Sequence, residues 1–319
     1  MSSKDLLQAQ VRTLRYEAEG IISIEMMPIP GAHFPRFDAG SHIDFHLPNG
    51  LIRNYSLLNS PDDNDRYVVG VLADRQSRGG SRYVHEQFRC GMVVPISAPR
   101  NNFTLDESAS QTVLVAGGIG ITPILCMYRR LRALGRDVRL AYCARTRSHA
   151  AFSDELRAIG GDIHFHFDDE NGGSPFNLLN YLSKQPGDAH VYCCGPSVMI
   201  SAFEKACEAA NLKNVHIERF SIDPVVQSAP KAGCTVQLAK SGKTFEVQAD
   251  KTILDALLEA GIDVEFGCKE GICGACETNV LSGYPDHRDG VLSQAEKDSN
   301  KVMMICVSRV KSGPIVLDL

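Results

Sequence analysis

Short apolar runs separated by turn residues make up the first hundred residues. Five runs have the alternation typical of extended chain, with Pro, Gly, Asn and Asp between them. They are residues 21–26, 41–47, 53–58, 66–72 and 92–97. Helical periodicity is confined to residues 81–88. The pattern therefore predicts a small antiparallel β-barrel.

From Gln111 onward, strand-like runs alternate with helical ones. Residues 112–116 form a continuous apolar run, as expected for a strand buried on both faces. Thr122 and Pro123 are predicted as the N-cap and first residue of a helix that ends before Gly135. Further strands are predicted at 138–143, 162–167, 190–194 and 215–218. This order predicts a parallel α/β sheet of about five strands.

The last third of the chain follows a stretch of linker composition, RFSIDPVVQSAPKAGC. A hairpin is predicted at 235–238 and 244–247, and a helix follows that begins at Thr252 and ends at Gly261. The mixture predicts a compact α+β domain. We therefore expect domains at residues 1–104 and 105–222, a linker at 223–232, and a third domain at 233–319.

Charge is shared unevenly between these domains. The 319 residues have a net charge of −5, and residues 233–319 alone have 13 acidic and 9 basic side chains. Such a balance gives no bulk attraction for nucleic acid. The N-terminal residues lack the apolar core of a secretory signal, and glycines and Pro123 interrupt the longest uncharged stretch. We expect a cytoplasmic protein that binds neither membranes nor nucleic acid.

Cysteines carry the most specific motif. The chain has 11, an odd number that predicts reduced thiols in a protein without a leader. Four of them have the spacing C-x4-C-x2-C followed by a fourth after 29 residues, namely Cys268, Cys273, Cys276 and Cys306. Plant-type [2Fe–2S] ferredoxins have this spacing. The alternatives are buried cysteines or a zinc site, which would need a second C-x2-C or histidines near Cys306.

An iron–sulfur cluster predicts a flavin upstream. The cluster accepts single electrons, whereas a nicotinamide delivers two as hydride, and a flavin can link them. The sequence RNYSL at 53–57 offers an arginine for phosphate and a tyrosine for a flavin face. Gly79 and Gly80 precede a predicted helix, where anions bind. An ordinary strand and a flexible turn are the alternative interpretations.

Two turns in the α/β region are candidates for binding a nucleotide. Residues 117–123, GGIGITP, join a strand to a helix, but Pro123 replaces the third glycine of the dinucleotide fingerprint. Cys194 ends a later strand at the same edge, where it lines a ligand site, packs, or acts as a nucleophile. His164 and His166 share one strand face and are either metal ligands or ordinary strand residues.

The order of these motifs resembles the phthalate dioxygenase reductase family, which includes vanillate O-demethylase reductases. The order is R-x-Y-S-L, G-G-x-G-I-T-P, C-G-P and E-x-F, then a C-terminal plant-type ferredoxin, and it spans nearly the whole chain. The resemblance implies an antiparallel flavin-binding β-barrel, a parallel α/β nucleotide-binding domain and a β-grasp [2Fe–2S] domain. It also implies FMN rather than FAD, NADH as reductant, and a Rieske-type terminal oxygenase as partner.

The resemblance further implies roles for individual residues. Those expected to bind FMN are Arg53, Tyr55, Ser56, Leu57, Gly79, Gly80 and Ser81. Those expected to bind the nucleotide are Gly118, Gly120, Thr122, Pro123, Arg145, Cys194, Gly195 and Pro196. Those expected where hydride is transferred are Ser56, Cys194, Glu218 and Phe220. In the first set, Arg53 would contact the phosphate, Tyr55 would pack on the isoalloxazine and Ser56 would approach its N5.

Several alternatives stay open at this level. Arg145, Arg147 and Ser148 follow the second α/β strand, where a 2′-phosphate would be read, so NADPH remains possible beside NADH. The protein could also be an electron-transfer subunit of another flavoprotein complex, or a non-catalytic [2Fe–2S] sensor or scaffold. Six carboxylates at 255, 259, 263, 265, 270 and 277 predict an acidic face that steers an oxygenase partner electrostatically.

Overall fold

A computed structural model of the chain describes residues 6–63, 65–74, 78–222 and 233–319. Two compact units divide the chain between Phe220 and Ser221. The upstream unit contains two sheets and the downstream unit one. Ser221 and Ile222, which we expected to close the second domain, group with the downstream unit. The predicted linker at 223–232 lies outside the described residues, and the boundary at 104/105 stays a prediction.

The first sheet closes into an antiparallel barrel. Its strands are β1 (Leu7–Ala18), β2 (Ile21–Pro28), β3 (Ser41–His46), β4 (Ile52–Ser56), β5 (Tyr67–Leu72), β6 (Val93–Ile96) and β7 (Arg100–Asn101). Neighbours pair in the order β4-β3-β6-β1-β2-β5, and β7 pairs with β3. The ring closes where Leu57 bridges Val69 and the Leu58 N–H donates to the Val68 carbonyl at 2.9 Å. The predicted barrel is confirmed.

Strand β1 is the element that the sequence pattern missed. It has 12 residues, but only Ala9, Val11 and Ala18 are buried among them. Irregularities in its pairing with β2 fall between Val11 and Thr13 and between Tyr16 and Ala18. Each bulge shifts the alternation of inward and outward side chains, so the period of two that identifies a strand is lost.

The second sheet is parallel and has five strands in the order β10-β9-β8-β11-β12. They are β8 (Thr112–Gly117), β9 (Val138–Ala144), β10 (Asp162–Phe167), β11 (His190–Cys194) and β12 (Asn214–Glu218). The helices of this unit are α1 (Gly80–Gln87), α2 (Ile121–Ala133), α3 (Ser153–Ile159), α4 (Leu178–Leu182) and α5 (Ser197–Ala209). Every residue of β8 is buried, so the prediction of a doubly covered strand is confirmed.

The start of α2 differs from the prediction. A 3-10 turn at Gly118–Gly120 comes first, and Gly120, not Thr122, is the N-cap. Thr122 lies inside the first helical turn, where its hydroxyl donates to the Ile119 carbonyl at 3.0 Å. Pro123 is tolerated there because N–H groups of a first turn have no helical partner. A helix therefore follows β8 as predicted, but it begins two residues earlier than Thr122 and Pro123 indicated.

The downstream unit is a five-stranded β-grasp sheet in the order β14-β13-β17-β15-β16. Its elements are β13 (Cys234–Leu238), β14 (Thr244–Val247), α6 (Ile253–Glu259), β15 (Glu277–Asp286), α7 (Gln294–Ser299), β16 (Val302–Met304) and β17 (Arg309–Leu317). Strands β13 and β17 are parallel, while the other pairs are antiparallel. Thr252 caps α6 as predicted, with its Oγ1 accepting from the Asp255 N–H at 2.9 Å. Within the described ranges, no helix has the length and hydropathy to cross a membrane.

Candidate functional site

Arg53 and the start of α1 meet on the barrel. Arg53 lies on β4, and its side chain runs so close to Gly80 that a Cβ there would lie 2.4 Å from its Nε. Gly79, the N-cap of α1, has φ = 99°, a conformation that favours glycine. The Ser81 hydroxyl accepts from the Asp74 N–H at 3.3 Å. A guanidinium beside the first N–H groups of a helix is suited to a phosphate.

Tyr55 and Ser56 are adjacent on β4 and therefore face opposite sides of the strand. The Tyr55 ring is half-buried and packs edge-on against Phe45, with centroids 4.9 Å apart. Ser56 is buried, and its Oγ makes no hydrogen bond of ordinary geometry to the described residues. The Leu57 side chain is fully buried in the barrel core, and its expected role in binding FMN stays a prediction.

Three side chains from separate strands converge where the barrel meets the parallel sheet. Cys194 and Glu218 are register partners on β11 and β12, with Sγ and Oε2 4.0 Å apart. Burial raises the pKa of Glu218 to about 8, while the nearby Ser56 hydroxyl acts to lower it. The structure therefore brings together Ser56, Cys194 and Glu218, which the sequence places far apart.

Cys194 is a neutral thiol in this environment. It is fully buried, and burial together with the Glu218 carboxylate raises its pKa well above the ordinary value. A reactive cysteine requires the opposite, a lowered pKa in a partly exposed site. Of the roles left open by the sequence, packing or lining a ligand fits this environment, and nucleophilic catalysis does not.

The turns after β8 and β11 touch through their backbones. A Cβ at Gly120 would lie 2.2 Å from the Cys194 carbonyl oxygen, and one at Gly195 would lie 3.1 Å from the Gly117 Cα. A Cβ at Gly117 would collide with Met199 Sδ at 2.4 Å. The two turns flank the switch point of the sheet, where strand order reverses and ligands bind.

Gly118 differs from Gly117, Gly120 and Gly195, because no atom of the opposite turn lies close to the position that a Cβ would take. It has φ = 52°, and nothing lies within 4 Å of the position of a Cβ, so the space beside its Cα is open at the switch point. Pro196 is the N-cap of α5, which begins directly after the turn. Gly117 was not among the expected site residues. The neighbouring glycines Gly117 and Gly118 indicate a tight turn, but the sequence does not show that the turn after β11 packs closely against it.

Thr122 joins the two sheets of the upstream unit. Its Cγ2 would lie 2.7 Å from a Cβ at Gly70 on β5. Thr122 and Pro123 are both buried, and Phe220 packs partly buried against the same core. These residues position the turn after β8 against the barrel. Gly70 was missed in the sequence, since a lone glycine in a strand carries no hint of what approaches it.

The turns after β9 and β10 are charged and exposed. Arg145 is exposed and its carbonyl accepts from the Asp169 N–H at 3.1 Å. Arg147 Nη2 donates to Glu170 Oε2 at 2.9 Å. The Ser148 hydroxyl lies 2.9 Å from Thr146 Oγ1. The Arg147 guanidinium and the Ser148 hydroxyl, two of the groups that could read a 2′-phosphate, therefore already have partners.

The four predicted cluster ligands lie together in the downstream unit. They are nearly fully buried, with exposed fractions of 4%, 2%, 4% and 3% for Cys268, Cys273, Cys276 and Cys306. The Cys273 thiol raises the pKa of Cys268, and the Cys276 thiol raises that of Cys306, so the sulfurs form two close pairs. A [2Fe–2S] cluster uses two ligands on each iron. The donor set therefore fits such a cluster.

The backbone of the loop is shaped around the sulfurs. The Glu270 N–H donates to Cys268 Sγ at 3.2 Å, and the Cys268 N–H donates to Cys273 Sγ at 3.4 Å. Lys269, Gly271 and Gly274 all have positive φ. Left-handed residues turn successive N–H groups to one side of a loop, which suits an anionic cluster.

Two further sequence candidates have ordinary structural partners. His166 Nε2 lies 3.0 Å from the Ser174 carbonyl, and His164 packs against Phe176 with ring centroids 5.1 Å apart. Among the residues described, no three His, Cys, Asp or Glu side chains are arranged around a single metal ion. On the acidic face, Lys269 Nζ donates to Asp255 Oδ1 at 2.9 Å and Lys251 pairs with Glu259. The steering role of that face stays a prediction.

Two regions of the chain match known domain families. Residues 236–311 match the family described as a 2Fe-2S iron-sulfur cluster binding domain, which includes all four cysteines. Residues 114–205 match the oxidoreductase NAD-binding domain, which includes both glycine turns. These matches decide between the alternatives for the cysteine motif in favour of the cluster.

Three similar proteins cover almost the whole chain. The phenoxybenzoate dioxygenase subunit beta of Ectopseudomonas oleovorans is 43% identical over 97% of this chain and 96% of its own length. The vanillate O-demethylase oxidoreductase of Pseudomonas sp. strain HR199 is 42% identical over 98% of this chain and 100% of its own. A crystal structure of phthalate dioxygenase reductase, described as modular for electron transfer from pyridine nucleotides to [2Fe–2S], has a TM-score of 0.73 and 38% identity. It covers 99% of this chain and 98% of that one.

Proposed function

The chain belongs to the phthalate dioxygenase reductase family, and on that premise we propose that it transfers electrons from NADH through FMN and a [2Fe–2S] cluster to a Rieske-type terminal oxygenase in the cytoplasm. It is an oxidoreductase, the reductase component of an oxygenase system. The observation that carries the proposal is the convergence of Ser56, Cys194 and Glu218, because it joins the barrel to the edge of the nucleotide-binding sheet.

FMN fits the barrel at the point where Arg53 crosses Gly80. The space that a Cβ would fill is occupied by the Arg53 side chain, so its guanidinium is held beside the N-terminus of α1. Arg53 and the first N–H groups of α1 would hold the phosphate, and Tyr55 would cover one face of the ring. When bound, the flavin supplies the step from a two-electron hydride donor to a one-electron acceptor.

The nucleotide fits the open backbone of Gly118 at the switch point. The glycine turns after β8 and β11 let a pyrophosphate approach the N–H groups at the start of α2. Cys194 and Phe220 then give the hydride-transfer region an apolar boundary from which water is excluded. Arg145, exposed beyond β9, would lie on the ribose side of the same nucleotide.

Glu218 would hold a proton in this region at neutral pH. Its pKa of about 8 keeps the carboxyl largely protonated at pH 7, so it can donate a hydrogen bond from its hydroxyl oxygen. Ser56, the neighbouring hydroxyl, is placed to accept that bond or to pass a proton onward. The pair would act by orienting and protonating, and Cys194 would act by packing.

The test is reduction of the purified holoprotein by NADH in a stopped-flow spectrophotometer. We expect the flavin band and the [2Fe–2S] bands to bleach together, followed by NADH-dependent reduction of a one-electron acceptor. A protein without a flavin band, or one whose cluster is not reduced by NADH, would overturn the proposal. A non-catalytic sensor would bind the cluster but show no turnover with the acceptor.

A further inference from the structure

An arginine at the edge of the parallel sheet is already held by a carboxylate. Arg147 Nη2 donates to Glu170 Oε2 at 2.9 Å, and its Nε donates to the other oxygen of the same carboxylate. The guanidinium carbon also lies 4.7 Å from the centre of the Phe167 ring. The two charged side chains are 63% and 42% exposed, so a ligand can reach the pair.

The position of the pair follows from the strand register. Gly117 at the end of β8 is opposite Cys143 on β9, and Ala144 is opposite Phe167 on β10. The turns after β9 and β10 are therefore the next ones along the carboxyl edge from the glycine turn. A nucleotide with its pyrophosphate on the glycine turn extends its adenosine ribose over the end of the neighbouring strand, here β9.

The charges of these turns are unfavourable for a second phosphate. The turn after β10 contributes three carboxylates, Asp168, Asp169 and Glu170, against Arg145 and Arg147 after β9. A 2′-phosphate carries close to two negative charges and prefers the bidentate fork of an arginine. Because Glu170 fills the fork of Arg147, a 2′-phosphate held by Arg147 would have to displace a carboxylate and remain beside it. The 2′-hydroxyl of NADH makes no such demand.

We propose that Glu170 is a specificity-determining residue, which holds Arg147 and thereby makes the protein prefer NADH to NADPH. The proposal rests on the proposed function, since it takes a nicotinamide nucleotide as the reductant. Ser148 offers no alternative reader of a 2′-phosphate, because its hydroxyl lies between Thr146 Oγ1 at 2.9 Å and the Glu19 carboxylate at 3.3 Å.

The experiment compares the wild type with Glu170→Gln in two assays. The first measures kcat/KM for NADH and for NADPH with the holoprotein and ferricyanide as acceptor. The second measures binding of 5′-AMP and 2′,5′-ADP by calorimetry, which does not depend on turnover. We expect the NADPH to NADH ratio of kcat/KM to rise about tenfold, and 2′,5′-ADP to gain about tenfold in affinity relative to 5′-AMP.

A matched control lies on the same two strands at their opposite ends. Arg139 on β9 pairs with Asp162 on β10, with Nε and Oδ2 3.4 Å apart at the amino edge of the sheet. Asp162→Asn removes the same charge from a similar pair, and we expect both ratios to stay at the wild-type values. A similar gain in Asp162→Asn would mean that net charge decides, and it would overturn the proposal.

The double variant Arg147→Gln/Glu170→Gln tests whether Arg147 is the group that is released. We expect the double variant to lose the increase in the NADPH to NADH ratio and in the relative affinity for 2′,5′-ADP that Glu170→Gln shows. Unchanged ratios in Glu170→Gln, or a full gain that persists in the double variant, would overturn the proposal. If the wild type oxidises neither nucleotide, the proposed function fails. If it oxidises NADH and Glu170→Gln leaves the ratios unchanged, only the specificity proposal fails.

Discussion

The cluster loop and the junction of barrel and sheet assemble their chemistry in opposite ways. The loop takes its four cysteines from one small unit, and three of them lie within residues 268–276. The junction takes Ser56 from the barrel, Cys194 from β11 and Glu218 from β12. A local site depends on the spacing of its ligands, whereas a distributed site depends on backbones that approach closely enough to bring its members together.

The largest effect is expected from loss of a cluster ligand, which should leave the junction intact. Cys306→Ser replaces a thiolate ligand of the cluster by a hydroxyl, which is a much poorer ligand for a cluster held by thiolates. We expect loss of the [2Fe–2S] electron paramagnetic resonance signal and a fall of about 100-fold or more in transfer to a one-electron acceptor that needs the cluster. Flavin reduction by NADH should persist. The control is Cys234→Ser, which lies in the same unit but outside the motif and should retain the [2Fe–2S] signal and the electron transfer. Loss of flavin reduction in Cys306→Ser would contradict the separation of the two regions.

The junction should instead be broken by a single methyl group on its backbone. Gly120→Ala places a Cβ 2.2 Å from the Cys194 carbonyl oxygen and 2.4 Å from its carbonyl carbon, neither of which can rotate away. We expect the free energy of unfolding to fall by about 3 kcal/mol, with loss of NADH oxidation and an unchanged ferredoxin spectrum. Gly187→Ala, where nothing lies within 4 Å, is the matched control. Chemical denaturation of both variants checks the difference, and equal stabilities would refute the close approach.

This contrast explains what the sequence could and could not predict. The spacing of the cysteines identified the cluster, and the alternation of apolar runs identified the barrel and the parallel sheet. The clash partners of Gly70 and Gly117 were not predictable, because they depend on which turn packs against which. Leu57 fits the R-x-Y-S-L motif, yet a motif does not say which of its side chains points into the core.

A smaller effect is expected at the phosphate end of the barrel site. Gly80→Ala directs a Cβ into the Arg53 side chain, at 2.4 Å from its Nε and 2.6 Å from its Cγ. This side chain can move, so we expect little change in stability but an FMN dissociation constant about tenfold higher, which is about 1.4 kcal/mol. Quenching of FMN fluorescence measures it. Arg53→Lys, which keeps the charge and loses the fork, should weaken FMN to a similar degree, and unchanged affinity in both would exclude this phosphate site.

The smallest effect concerns the pH dependence of stability at Glu218. Its pKa is about 8 in the folded protein against an ordinary value of 4.5, so between these values only the unfolded chain releases the proton. Stability of the wild type therefore falls as pH rises through that window. Glu218→Gln in the apoprotein should match the wild type near pH 4 and become progressively more stable than the wild type as the pH rises toward 8. Parallel denaturation curves across the pH range test this, and a constant difference would contradict the raised pKa.

The bridge that closes the barrel also protects the order of side chains on β4. Strand β4 pairs with β3 along its length, and the Leu57–Val69 bridge fixes the residue that directly follows it, so the register of the strand is held at two places. A slip of one residue would exchange the faces of Tyr55 and Ser56 and separate Ser56 from Glu218. Insertions in the loops around β4 should therefore be tolerated during divergence of the family, while an insertion within its five residues would remove the flavin site in one step.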